Sequence, residues 1–240
     1  MISAHVGRSN RGRVGSSLAA AMILLVSPSC SAQVVSFNFT GTLSAVQDDA
    51  TYLPDDIQSG QSFSGTITYN TAHVTDSDGA PDIGHYNFTG PAAGDLSITL
   101  NLIVPGHVYS FISQAAPPVS QNYIQLQTSS DQIDYSVGEP SMDGSPLPVV
   151  SNGTQLTVSL KDLSGQAFSS DALPASAPSF AAFSQHQLFL EGQTSGGNTI
   201  YGFEGNLDSI TPVPEPATAA ACAGFGLLAF GVGRRILRAK

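Results

Sequence analysis

Residues 75–84, TDSDGAPDIG, hold the side chains best spaced for chemistry. Asp76, Asp78 and Asp82 bracket Gly79, and loop carboxylates alternating around a glycine are how oxygen cages for calcium are built. The full calcium-loop pattern is not met, because the distal glutamate is missing and the glycine comes early. A plain Asp/Gly turn is the competing reading, and no other cofactor is expected. The remaining reactive residues do not assemble. His73, His85, His107 and His186 lie in separate segments without metal-ligand spacing. No Gly-x-Ser-x-Gly elbow is present. The acid pairs Asp48–Asp49 and Asp55–Asp56 fall in turn-rich stretches and read as solvated loops. The expectation is a non-enzymatic protein, with a hydrolase lacking a recognisable motif as the remote alternative.

The elements that would position these residues are strands. FTGTL (39–43), FSGTI (63–67) and FEGNL (203–207) share one pattern, a phenylalanine, a glycine and an aliphatic at alternate positions. Alternate residues of a strand share a face, so each segment offers a ring, a gap and an aliphatic group to one side. The gap suits a ring from a neighbouring strand. The first and last of these segments are expected to pair. DLSITLNLIV and HVYSFIS flank Pro105-Gly106 as a hairpin, NYIQLQT and DQIDYSV flank Ser129-Ser130, and HQLFLEG and TIYGFEGNLDSI flank QTSGGN. With TQLTVSLKD this makes roughly ten antiparallel strands. The fold class is all-β, of β-sandwich or jelly-roll type. Residues 138–153 and 164–184 read as long loops, the second with room for one helical turn.

Charge is confined to the ends. The chain has 240 residues, 18 acids, 8 Lys and Arg, and a net charge of −10. Every acid but Glu215 lies within residues 33–214, where Lys161 is the only cation. Such a body is repelled by phosphate backbones, which excludes nucleic acid as a partner. The start carries Arg8, Arg11 and Arg13, an apolar stretch at 15–26 and then small residues. That order is a secretory signal peptide covering 1–32, with a lipoprotein cut before Cys30 as the alternative. Removing the signal leaves Cys222 alone, so the exported body (33–210) cannot rely on disulfides.

Beyond a linker at 211–216, residues 217–233 are uncharged and, as a helix, would extend ~25 Å, enough to span a locally thinned bilayer. Arg234, Arg235, Arg238 and Lys240 follow in the basic tail 234–240 and mark the cytoplasmic side. Just before the span, Pro214 and Pro216 hold Glu215 in an extended segment.

Residues 213–240 resemble a PEP-CTERM sorting signal, with its Pro-Glu-Pro triplet, single hydrophobic helix and basic tail. The resemblance implies processing by an exosortase, an integral-membrane cysteine protease or transpeptidase of Gram-negative bacteria that make exopolysaccharide. Pro214, Glu215 and Pro216 would then be the recognition element, and Arg234 and Arg235 the cytoplasmic stop. The implied route is insertion into the inner membrane with the body in the periplasm, then release to the cell surface or beyond. Two functions remain open for the body: a surface or matrix protein, or a carbohydrate-binding module associated with exopolysaccharide. A row of exposed tyrosines on one sheet would favour the second.

Overall fold

The computed structural model describes residues 34–49, 51–72, 74, 76–88, 96–113, 122–148, 153–194 and 196–213. The signal peptide, the Pro214–Glu215–Pro216 triplet, the span at 217–233 and the basic tail all lie outside the described residues, as does His73.

The described chain is all-β. Its strands are β1 (Val34–Asp48), β2 (Ser62–Asn70), β3 (Ile83–Asn87), β4 (Leu96–Val104), β5 (His107–Ile112) and β6 (Tyr123–Gln127). They continue with β7 (Gln132–Gly138), β8 (Ser141–Met142), β9 (Ser145–Pro146), β10 (Thr154–Lys161), β11 (Gln185–Gln193) and β12 (Thr199–Pro212). All are joined in a single sheet of 12 strands, ordered β3-β6-β7-β10-β11-β12-β1-β2-β4-β5-β8-β9. Each described pairing is antiparallel, as expected.

The three expected hairpins form as β4–β5, β6–β7 and β11–β12. The first and last strands also pair, with Leu43 opposite Gly205. The loop at 164–184 holds one 3₁₀ turn, Phe180–Ala182.

The expectation of two stacked sheets needs correction. One hydrogen-bonded ladder does the work of both layers by curling on itself. Tyr135 of β7 meets Phe37 of β1 at 5.4 Å between ring centroids and Tyr69 of β2 at 5.8 Å, although β10, β11 and β12 lie between them in the ladder. Phe111 of β5 and Phe203 of β12 meet likewise at 5.4 Å. The bend has a local cause. β1 shifts register against β12 between Thr40 and Gly41 and again between Leu43 and Ala45, and such bulges bend and twist a strand.

The enclosed face is apolar. Phe37, Phe39, Ile67, Tyr69, Ile98, Leu100, Tyr135, Leu156, Val158, Leu188 and Tyr201 are all fully buried. Alternation does this: β2 reads exposed or half-exposed at every second residue and buried at the others.

Strand β12 runs past the expected boundary at 210. Thr211 and Pro212 pair with Asn38 and Phe37, and the Val213 N–H donates to the Ser36 carbonyl at 2.9 Å. The linker expected from Thr211 therefore begins with strand residues.

Candidate functional site

The acidic segment at 76–82 closes the free side of β3. Asp76 makes an isolated bridge with Tyr86, and its Oδ1 accepts the N–H groups of His85 at 2.9 Å and Asp78 at 3.0 Å. Those two donors, His85 first, hold the Asp76 carboxyl below its ordinary 3.8. The backbone carbonyl of Asp82 accepts from Thr128 N–H at 2.9 Å. Asp76 thus caps the edge through its Oδ1. Among the described residues, no group of three or more His, Cys, Asp or Glu side chains comes together to hold a metal.

The described histidines are far apart in role. His85 packs edge-on against Tyr123, with ring centroids 5.2 Å apart. His107 Nε2 lies 3.1 Å from Asp143 Oδ2 on the surface. His186 stacks on Phe180 and donates to its carbonyl at 2.9 Å. None of the three is brought to an acid–nucleophile pair. The acid pairs serve turns: Asp48 accepts the Tyr52 and Leu53 N–H groups, and Asp56 accepts the Tyr109 hydroxyl.

Four of the seven tyrosines are drawn into the core, while Tyr52 is 39% exposed and Tyr109 and Tyr123 are half-buried. Tyr69, Tyr135 and Tyr201 are fully buried and Tyr86 is 8% exposed. Two of these four hold down the 162–184 strap. The Tyr69 hydroxyl donates to the Pro174 carbonyl at 2.8 Å. Tyr86 donates to the Asp171 carbonyl at 3.0 Å and accepts the Leu173 N–H at 3.1 Å. At the strap's root, Asp162 folds its carboxylate onto the Ser164 hydroxyl and the Ser164 and Gln166 N–H groups. The strap then passes the start of β1, where Ala175, Ser176 and Ala177 share a groove with Val35 and Pro212.

The outer face of the sheet carries a regular feature that sequence reasoning missed. Where β1, β2 and β4 lie side by side, three rungs cross them. Ser36 stands opposite Thr68, which stands opposite Ser97. Asn38, Thr66 and Thr99 form the next rung. Thr40, Ser64 and Asn101 form the third. On β12, Ser209 extends the Thr40 rung and Thr211 the Asn38 rung. Hydrogen bonds tie neighbours together: Ser36 to Thr68 at 2.9 Å, Thr66 Oγ1 donating to Asn38 Oδ1 at 2.8 Å, and Thr40 to Ser209 at 2.7 Å. No rung contains a charge. The signal was present in the sequence, since the residues between the core positions of SFNFTGT, SFSGTIT and LSITLN are all Ser, Thr or Asn.

No family model matches this chain, and no curated protein or solved structure matches it either. Among the described residues, no helix is long and apolar enough to cross a membrane.

Proposed function

We propose that the chain is a non-enzymatic exported protein of the cell surface or extracellular matrix, sorted by a PEP-CTERM tail. The observation that carries this reading is the order of parts after β12: the Pro214–Glu215–Pro216 triplet, an uncharged run at 217–233, and Arg234 and Arg235. On this reading residues 1–32 direct export, 217–233 hold the protein in the inner membrane, and an exosortase-type protease acts on the triplet. The arrangement of the body is compatible with it. Val213 is still bonded to Ser36 at 2.9 Å, so the segments before Val34 and after Val213 leave from neighbouring strands. A body joined to the membrane at that one end keeps the rest of its surface free.

The test is Glu215→Gln, which keeps the shape of the triplet and removes its charge. A buried pocket that loses one partner of a charged pair forfeits ~2–5 kcal/mol of recognition, roughly thirtyfold or more. The expected outcome is normal export with the tail retained, read from the mass of the C-terminus in a strain carrying the exosortase. Normal tail removal in the variant would make the triplet a mere linker.

A further inference from the structure

We propose that the rungs crossing β4, β2, β1 and β12 form a binding face for a neutral polysaccharide. The proposal does not depend on how the protein is sorted. The three rungs carry hydroxyl and amide groups alone, with Asp208 at their β12 margin, where it accepts the Thr42 hydroxyl at 3.5 Å. In a chain of net charge −10, this disfavours anionic polymers as occupants. Hydroxyls and amides each donate and accept, as sugar hydroxyls do. Adjacent strands lie about 4.8 Å apart and same-face residues about 6.6 Å apart along each strand, so the donors and acceptors repeat in two directions.

The side chains are also held in place before any ligand arrives. Thr66 gives its proton to Asn38 Oδ1 at 2.8 Å, which leaves the Asn38 amide protons and the Thr66 lone pairs for a partner. Ser36 with Thr68 and Thr40 with Ser209 are locked in the same way. Groups fixed in advance lose less freedom on binding.

An apolar margin completes the match to an amphipathic ligand. Ile103 and Val108 face one another across β4 and β5, 51% and 49% exposed, and Ile112 is 42% exposed opposite Thr99. Sugar rings present C–H faces as well as hydroxyl edges, and this margin borders the polar rungs on the β5 side. A second copy of the chain is the poorer occupant, because protein interfaces draw their cores from aromatic and apolar residues and the rungs hold none. The rungs carry no aromatic ring, so each sugar unit is held weakly there, and binding builds up along a polymer.

The probes are cellulose pull-down and electrophoresis through dextran or alginate, using the exported protein isolated from cells. The neutral glucans are expected to retain the wild type at low and high salt alike, free glucose is expected not to compete, and alginate is expected not to retain it. Thr40→Val/Thr66→Val/Thr99→Val keeps the branched shape and removes three hydroxyls. Its binding is expected to weaken by about tenfold or more, the combined effect of several net hydrogen bonds, while Gln155→Ala on β10 binds as wild type. Thr66→Lys alone, a single surface change, is expected to show the same loss if the triple variant folds poorly by circular dichroism. Failure of the wild type to bind any neutral glucan overturns the proposal, as does equal binding by folded rung variants. A wild-type dimer that these variants dissociate would assign the face to a second copy and also overturn it.

Discussion

Phe39 and Phe63 each cover the glycine directly across the ladder: the Phe39 ring lies on Gly65 and the Phe63 ring on Gly41. Their centroids are 6.3 Å apart with the planes at 63°, an edge-to-face geometry that adds to their burial. Phe63 reaches further and also covers Gly205 on β12. The same device recurs where Tyr201 lies on Gly192, its partner in the β11–β12 ladder. Three aromatic rings thereby fill four gaps, and the two long strands at the centre of the sheet are packed where side chains of their own would not fit.

Gly65→Ala is therefore expected to destabilise the protein by about 1–3 kcal/mol or more through overpacking, measured by urea denaturation followed by circular dichroism. A methyl at Gly65 would overlap both the Phe39 ring and the Thr99 carbonyl. Adding Phe39→Leu should for that reason fail to restore stability. Gly205→Ala, whose methyl meets chiefly the Phe63 ring, should cost less. Equal stability of Gly65→Ala and wild type would show that the rings do not fill these gaps.

Alkaline pH should unfold the protein through its buried phenols. Burial raises the pKa of Tyr69 and Tyr135 above the ordinary 10.0. The fold keeps these protons while the unfolded chain releases them, so the contribution is complete below pH 10.0 and is lost as pH rises toward the raised values. The melting temperature is expected to fall above that pH, and phenolate absorbance should increase together with unfolding. Tyr69→Phe should flatten the dependence, at the cost of its 2.8 Å bond to the Pro174 carbonyl of the strap, worth roughly 0.5–1.5 kcal/mol. Phenolate formation complete at pH 10 without unfolding would contradict this.

Calcium gives a third test. Asp76 is engaged by the His85 and Asp78 N–H groups, so Asp76→Ala is expected to lower the melting temperature equally with and without a chelator. Its depressed carboxyl makes the loss present above pH 3.8 and smaller as pH falls below that value. Chelation of wild type should leave the melting temperature unchanged. A drop on chelation that Asp78→Ala abolishes would establish a calcium cage at Asp76, Asp78 and Asp82.

Local pattern made much of this fold legible in the sequence. The period-two alternation of β2 and β4, the Pro105-Gly106 turn and the repeated ring–glycine–aliphatic segments each depend on neighbours a few residues apart, and each led to the observed hairpin or pairing. The gap at glycine needed only strand parity to predict. What the strands do together was not legible. Whether the ladder splits into two sheets or curls as one depends on the bulges at Thr40/Gly41 and Leu43/Ala45 and on contacts such as Phe37 with Tyr135, which are 98 positions apart. The spacing of Asp76, Asp78 and Asp82 likewise says nothing about which N–H groups will face Asp76; the bridge to Tyr86 decides that. The polar rungs follow the same division. Each strand's Ser, Thr and Asn were plain to read, but rungs exist only once register sets Asn38 beside Thr66 and Thr66 beside Thr99, and register is a property of the folded sheet.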